Sequence, residues 1–192
     1  MRLGSWQFLE TERIADDPVL GPLLVRHKIV KGPAFGLCVH ELRRSDYDRA
    51  LHDHPWWFVS LVLRGGYWEE YHLADVPRWG DPFMQDGVTS FEVRSTRWRG
   101  VGSVAFRPAR WRHKVRLLTK ATSHAYLTDA EYERSRLDPD RDRSIPAWTL
   151  ILMGPRVRRW GFWVDGKWCW WRRHDPARNI CADDVLHTGG GD

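Results

Sequence analysis

The residue types best placed to do chemistry in this chain are histidines. His52 and His54 stand two apart in Leu51-His-Asp-His-Pro-Trp-Trp-Phe. On an extended strand residues i and i+2 point to one side, so both imidazoles can reach a single ion. Imidazole suits iron, zinc, copper and nickel, whereas calcium and magnesium prefer oxygen ligands. Alone, a His-x-His pair is equally the mark of two surface histidines at the start of a strand. A second segment, with Gly102, Pro108 and His113, offers a third imidazole.

Those histidines need a scaffold, and the surrounding pattern is one of strands. Leu37, Val39 and Glu41 alternate with Cys38, His40 and Leu42. Trp56–Leu63 is apolar apart from Ser60, too short for a typical helix, and reads as a strand buried on both faces. Gly65-Gly66 turns it into a partner strand at Tyr67–His72. Residues 73–90, with Pro77, Gly80, Asp81-Pro82 and Asp86-Gly87, read as a loop or insertion. Further strands are expected at Ser90–Arg94, Ser103–Arg107, Arg112–Leu118 and Ala147–Met153. Gly161–Val164 and Lys167–Trp171 flank Asp165-Gly166, the dipeptide of a tight hairpin. The first residues read as a lead-in, with a short helix starting at Asp16-Asp17-Pro18 and cut off by Gly21-Pro22.

This pattern resembles the cupin superfamily, and two motifs establish the likeness. The first cupin motif runs His-x-His, three or four residues, Glu, six residues, Gly; here it reads His52-Asp53-His54, three residues, Phe58, six residues, Gly65. The second runs Gly, five residues, Pro-x-Gly, two residues, His, three residues, Asn; here it reads Gly102, five residues, Pro108-Ala109-Arg110, two residues, His113, three residues, Leu117. The resemblance implies an all-β chain: one double-stranded β-helix (jelly-roll) barrel with a short N-terminal helical or irregular segment and a C-terminal β-hairpin. Its expected divisions are a lead-in at 1–34, the barrel core at 35–127, a polar loop at 128–146, strands completing or covering the barrel at 147–173, and a flexible tail at 174–192.

The resemblance also implies a metal site of His52, His54 and His113. Phe58 stands where the family has its glutamate ligand and cannot bind metal, so the set reduces to three neutral imidazoles, as in some cupin oxygenases. Glu69 or Glu70 on the returning strand could restore a carboxylate. Fe(II) is the favoured ion, with Zn(II) or Ni(II) as alternatives, and the chemistry implied is oxidation of a small, anionic organic substrate. A zinc or nickel hydrolase, lyase or isomerase and a non-enzymatic binding barrel are the competing readings. Trp56, Phe58, Val62 and Glu69 are expected to line the pocket. Candidate catalytic groups are Ser60, Tyr67 and Arg110. Ser60 has the parity of Phe58, Tyr67 is a potential donor, and Arg110 sits in the turn where glycine is usual.

Composition sets wider bounds. The chain has 192 residues, 42% of them hydrophobic and 29% charged, which suits one globular domain. A net charge of +5 decides little. Thirteen tryptophans are a large excess, and Arg156–Arg173 interleaves them with basic residues. Stacking rings with cations occur on nucleic-acid surfaces, but a hairpin covering the barrel or a dimer interface is the favoured account. A homodimer paired through edge strands and exposed tryptophans is expected. No stretch of 18 apolar residues occurs, so no helix should span a membrane. Cys38, Cys169 and Cys181 form neither a CxxC pair nor an even set, which reads as a reduced, cytoplasmic protein.

Overall fold

A computed structural model describes residues 2–18, 21–46, 50–77, 90–119, 144–164, 166–175 and 180–182. Two antiparallel sheets face one another. The first runs β1 (Arg2–Leu3), β2 (Trp6–Asp17), β3 (Gly21–Lys31), β4 (Gly36–Leu42), β11 (Ala147–Met153), β6 (Phe58–Arg64) and β9 (Val104–Arg107). The second runs β13 (Lys167–Trp170), β12 (Gly161–Val164), β5 (Leu51–His52), β10 (His113–Leu117), β7 (Gly66–Pro77) and β8 (Ser90–Gly100). A small ribbon, β14 (His174–Asp175) with β15 (Ile180–Cys181), follows. Consecutive strands cross between sheets, as in a jelly roll: β4 lies beside β11, and β5 lies between β10 and β12. This is the cupin-type double-stranded barrel.

Side-chain alternation fills the space between the sheets. Val62 on β6 and Ala147 on β11 meet Tyr67, Val115 and Leu117 from the opposite sheet in one buried cluster. Nearer the histidines, Phe58 packs with Cys38, Ile151 and Met153, and Trp56 leans against that group. Each such aliphatic or aromatic side chain, fully buried, contributes about 1.5–3 kcal/mol. Gly65 and Gly102 occupy left-handed backbone conformations, at φ of 72° and 82°. A Cβ at Gly65 would lie 2.6 Å from the Pro146 carbonyl oxygen, so the turn before β7 requires glycine.

The N-terminal reading needs correction. Instead of a helical lead-in, β2 and β3 form a long hairpin that extends the first sheet, and Asp16 and Asp17 lie within its strand. Cross-strand charges hold it: Glu12 faces Arg26 at 3.3 Å, and Lys28 reaches Glu10 at 3.3 Å. Strand β7 runs to Pro77, past the end expected for it, and β8 continues to Gly100. Most of the expected insertion and of the polar loop at 128–146 lies outside the described residues. The cysteine reading is overturned as well. Cys169 and Cys181 form a disulfide with Cα atoms 5.8 Å apart, and only Cys38 is free. That bond ties the expected flexible tail to β13 at Cys181. Among the described residues, no helix is long and apolar enough to cross a membrane.

Candidate metal centre

Two neighbouring strands bring the histidines together. His52 is the last residue of β5, directly opposite His113 at the start of β10. His54 follows in the connection to β6, its backbone N–H donating to the Ala109 carbonyl at 3.1 Å. One ligand nitrogen from each of His52, His54 and His113 lies within 4.8 Å of the others. The Nε2 atoms of His54 and His113 are 2.8 Å apart. Two nitrogens each about 2.0–2.1 Å from one ion at a right angle are separated by about 3 Å, so this pair fits a shared first-row metal. Burial, reinforced by the adjacent His113 and His52 rings, holds His54 well below the ordinary imidazole range. The ring is therefore neutral, which is the form that coordinates.

Behind His113 stands a carboxylate. Glu69 Oε1 accepts from His113 Nδ1 at 3.0 Å, which leaves the Nε2 lone pair directed toward the other histidines. Glu69 is 1% exposed. It accepts from Arg107 Nε at 2.6 Å, from Arg99 Nε at 2.9 Å and from the Trp111 indole at 3.2 Å, with a second contact from Arg107 Nη2. Burial pushes its pKa up, but the bonds from His113 and Arg107 outweigh that and hold it well below the usual carboxylate range. Glu69 thus orients a ligand through the far nitrogen and is not grouped with the ligands themselves. Glu70 faces the other side of β7, where Arg94, Lys114 and Arg116 surround it. Neither glutamate supplies a fourth ligand in this arrangement.

Asp53, between the two histidines, points the opposite way and is fully buried. It accepts from the Gly161 backbone N–H at 3.1 Å and from the Trp163 indole at 3.2 Å, and pairs with Arg158 at 2.6 Å. The Asp53 backbone N–H donates back to the Gly161 carbonyl. The aromatic hairpin β12–β13 is thereby fastened to the ligand-bearing segment. Its arginines and rings also pair within the chain: Arg112 lies 3.3 Å above the Trp163 ring and Arg159 5.1 Å above Trp170.

The remaining sequence candidates divide. Phe58 meets His54 edge-on at 4.8 Å between centroids, and Phe162 lies 6.1 Å from His52, so both wall the centre. Trp56 stands beside Phe58, with Lys31 over its ring. Ser60 directs its hydroxyl to the Ala105 carbonyl at 3.5 Å, and Tyr67 and Val62 lie in the buried cluster with Val115, Leu117 and Ala147. Arg110 is exposed in its turn. The sequence reading missed Arg26, on the inner face of β3. Its Nε donates to His40 Nε2 at 3.0 Å, and its charge is among those that disfavour protonation of His54. Parity with Leu24 and Leu42 was the available signal, obscured by treating residues 1–34 as a lead-in.

No family model and no curated protein matches the chain. Among solved structures, Fe(II) HppE is similar at 13% identity and a TM-score of 0.43, over 75% of this chain and 56% of that one. An RmlC-like cupin from Shewanella frigidimarina gives 12% and 0.39, over 77% and 84%. KdgF from Halomonas sp. gives 10% and 0.41, over 78% and 94%. This chain spans little more than half the length of the first of these. The strand order, the glycine turns and the converging imidazoles make the protein, at the level of its fold, a cupin-type barrel with a three-histidine cluster suited to a divalent metal.

Proposed function

We propose that the protein is a mononuclear non-haem iron enzyme that uses O₂ to oxidise a small anionic organic substrate, with Fe(II) held by His52, His54 and His113. The observation that supports this most is the Glu69–His113 bond, which fixes the tautomer a ligand needs. When bound, the metal supplies a redox-active Lewis acid with positions left for substrate and O₂. The chain's own residues do the rest. Phe58 and Phe162 keep water from the histidines. Three neutral imidazoles leave the ionic charge uncompensated, so an anionic substrate is drawn to it. On the inner face of β3, Arg26 pairs with Glu12 at 3.3 Å and still lies near enough to His54 to disfavour protonation of its ring.

Three histidines backed by a carboxylate also suit zinc, and a hydrolase or isomerase is the second reading. Elemental analysis of protein purified without added metal or chelator separates them, run beside the H52A/H113A variant. Near-stoichiometric iron lost in the variant, with oxygen uptake in a screen of small carboxylates, supports the first reading. Zinc without redox activity supports the second. A metal-free parent protein overturns both and leaves a binding barrel.

A further inference from the structure

The basic, tryptophan-rich run presents a surface that the metal centre does not use. Arg156–Arg173 holds six basic residues and one acidic residue. That surplus of five equals the net charge of the whole chain, +5, so the remaining residues balance to neutrality. In the β12–β13 hairpin Phe162, Val164 and Cys169 are buried with Ala50 and cover the barrel. The alternate positions Trp163, Trp168 and Trp170 belong to the other face and are half-buried. Arginines lie over the rings there. Arg159 is 5.1 Å from the Trp170 centroid, and Arg172 is 5.4 Å from Trp170 and 5.3 Å from Trp171. Trp171 stacks on Trp160 at 5.5 Å and is 41% exposed. Arg158 is committed to Asp53. Among the described residues, no carboxylate pairs with the exposed Arg156, Arg159 or Arg172.

We propose that this face of the hairpin binds single-stranded nucleic acid, with Arg159 and Arg172 on phosphates and Trp171 against a base. The concentration of charge selects a polyanion. A guanidinium lying on a ring keeps its full charge and its N–H edge, so stacking positions it for a phosphate without neutralising it. The pairing of Arg26 and Lys28 with Glu12 on β3 does the opposite, and that charge is spent within the chain. The rings then choose among polyanions. Unpaired bases offer π-faces that stack on tryptophan and on guanidinium planes, whereas a duplex keeps its bases stacked on one another. An anionic membrane takes up an apolar face, and the exposed large apolar side chains described in this run are Val157 and Trp171 alone. Strand β13 is the edge of the second sheet, which leaves its side open to an extended strand of nucleotides. Binding here does not depend on the ion held by the histidines.

Fluorescence anisotropy tests this, with the full chain titrated to about 100 µM against a labelled oligothymidylate of about 16 nucleotides. The titration is made at about 50 and about 200 mM salt. An oligouridylate of the same length separates RNA from DNA, and the corresponding duplex and co-sedimentation with phosphatidylserine vesicles complete the set. The parent is expected to bind a single strand more tightly than the duplex. Arg159→Gln/Arg172→Gln is expected to weaken binding roughly tenfold or more and to make the salt slope shallower by about 1.4, at about 0.7 for each lost phosphate contact. Trp171→Ala is expected to weaken it about fivefold or more with the slope unchanged, because stacking releases no counterions. Arg97→Gln, on an exposed position of β8, is the control expected to match the parent. Circular dichroism reports the fold of each variant, and Arg172→Gln alone, with half the change in slope, serves should the double variant unfold. A parent that binds neither oligonucleotide, with or without binding to vesicles, overturns the proposal. So does parental affinity in the arginine variants, or an equal loss in Arg97→Gln.

Discussion

Replacing Glu69 with glutamine keeps the shape of the side chain and removes its charge, and the surrounding geometry fixes the consequences. Two guanidinium groups, Arg107 at 5% exposure and Arg99 at 8%, converge on this one carboxylate. Removing one partner of a buried ion pair costs about 3–5 kcal/mol, because the remaining charge stays out of water. For a domain of this size each kcal/mol lowers Tm by roughly 2–4 °C, so a fall of roughly 6–20 °C is expected. The metal is affected separately. An amide presents its oxygen or its NH₂ to His113 Nδ1 and no longer enforces the tautomer, which should weaken metal affinity about 10–100-fold. Calorimetry with excess chelator reads the first effect, and competition against a chromophoric chelator reads the second. The double change Glu69→Gln/Arg107→Gln should recover part of the stability while leaving the affinity low. A Glu69→Gln protein with parental Tm and parental metal affinity would refute the account of this carboxylate as the support of His113.

Asp53→Ala removes the acceptor for Gly161 and Trp163 and the partner of Arg158; a loss of about 1–3 kcal/mol in urea titrations is expected, together with weaker metal binding. A thiol count with Ellman's reagent should find no reactive cysteine in the native protein, one after denaturation and three after reduction. Cys38 is 1% exposed, burial pushes its thiol up to about 11, and the other two are paired. Gly65→Ala should lower stability by more than about 1 kcal/mol, since φ of 72° and the Pro146 carbonyl both oppose a Cβ; its Tm measures this. If an anionic substrate is found, Arg26→Gln should raise its KM several-fold more than that of a neutral analogue, in steady-state oxygen uptake.

How much of this was legible in the sequence depends on how far apart the cooperating residues lie. Strand Ala147–Met153 and the hairpin at 161–170 follow from local alternation and a turn dipeptide, and the structure has them at the expected positions. The histidine set was legible because its spacing of two and the glycine and proline positions of two motifs are local signals. The β2–β3 hairpin was obscured because its inward positions are Glu10, Glu12, Arg26 and Lys28, so apolar alternation is absent where charge pairing replaces it. The part played by Glu69 was hidden for a different reason. Its partners Arg99 and His113 come from β8 and β10, the strands on either side of β7, and Arg107 comes from β9 in the other sheet, so only tertiary assembly makes them neighbours. An odd cysteine count likewise concealed a pair separated by 12 residues.

The two-residue strand β5 has a consequence for how the protein is made. His52 sits on a strand that is hydrogen-bonded on one side to β10 and on the other to β12, more than 100 residues further along the chain. Chains emerge from the ribosome N-terminus first, at about 5–20 residues per second. His52 and His54 therefore gain this flanking strand only when Gly161–Val164 emerges, more than 100 residues after them. A nascent or truncated chain ending at Met153 would possess all three histidines and lack the strand that Asp53 locks beside them. The grip on the ligand-bearing segment is thus coupled to synthesis of Gly161–Val164, and termination before it yields a polypeptide with the three histidines but without that flanking strand.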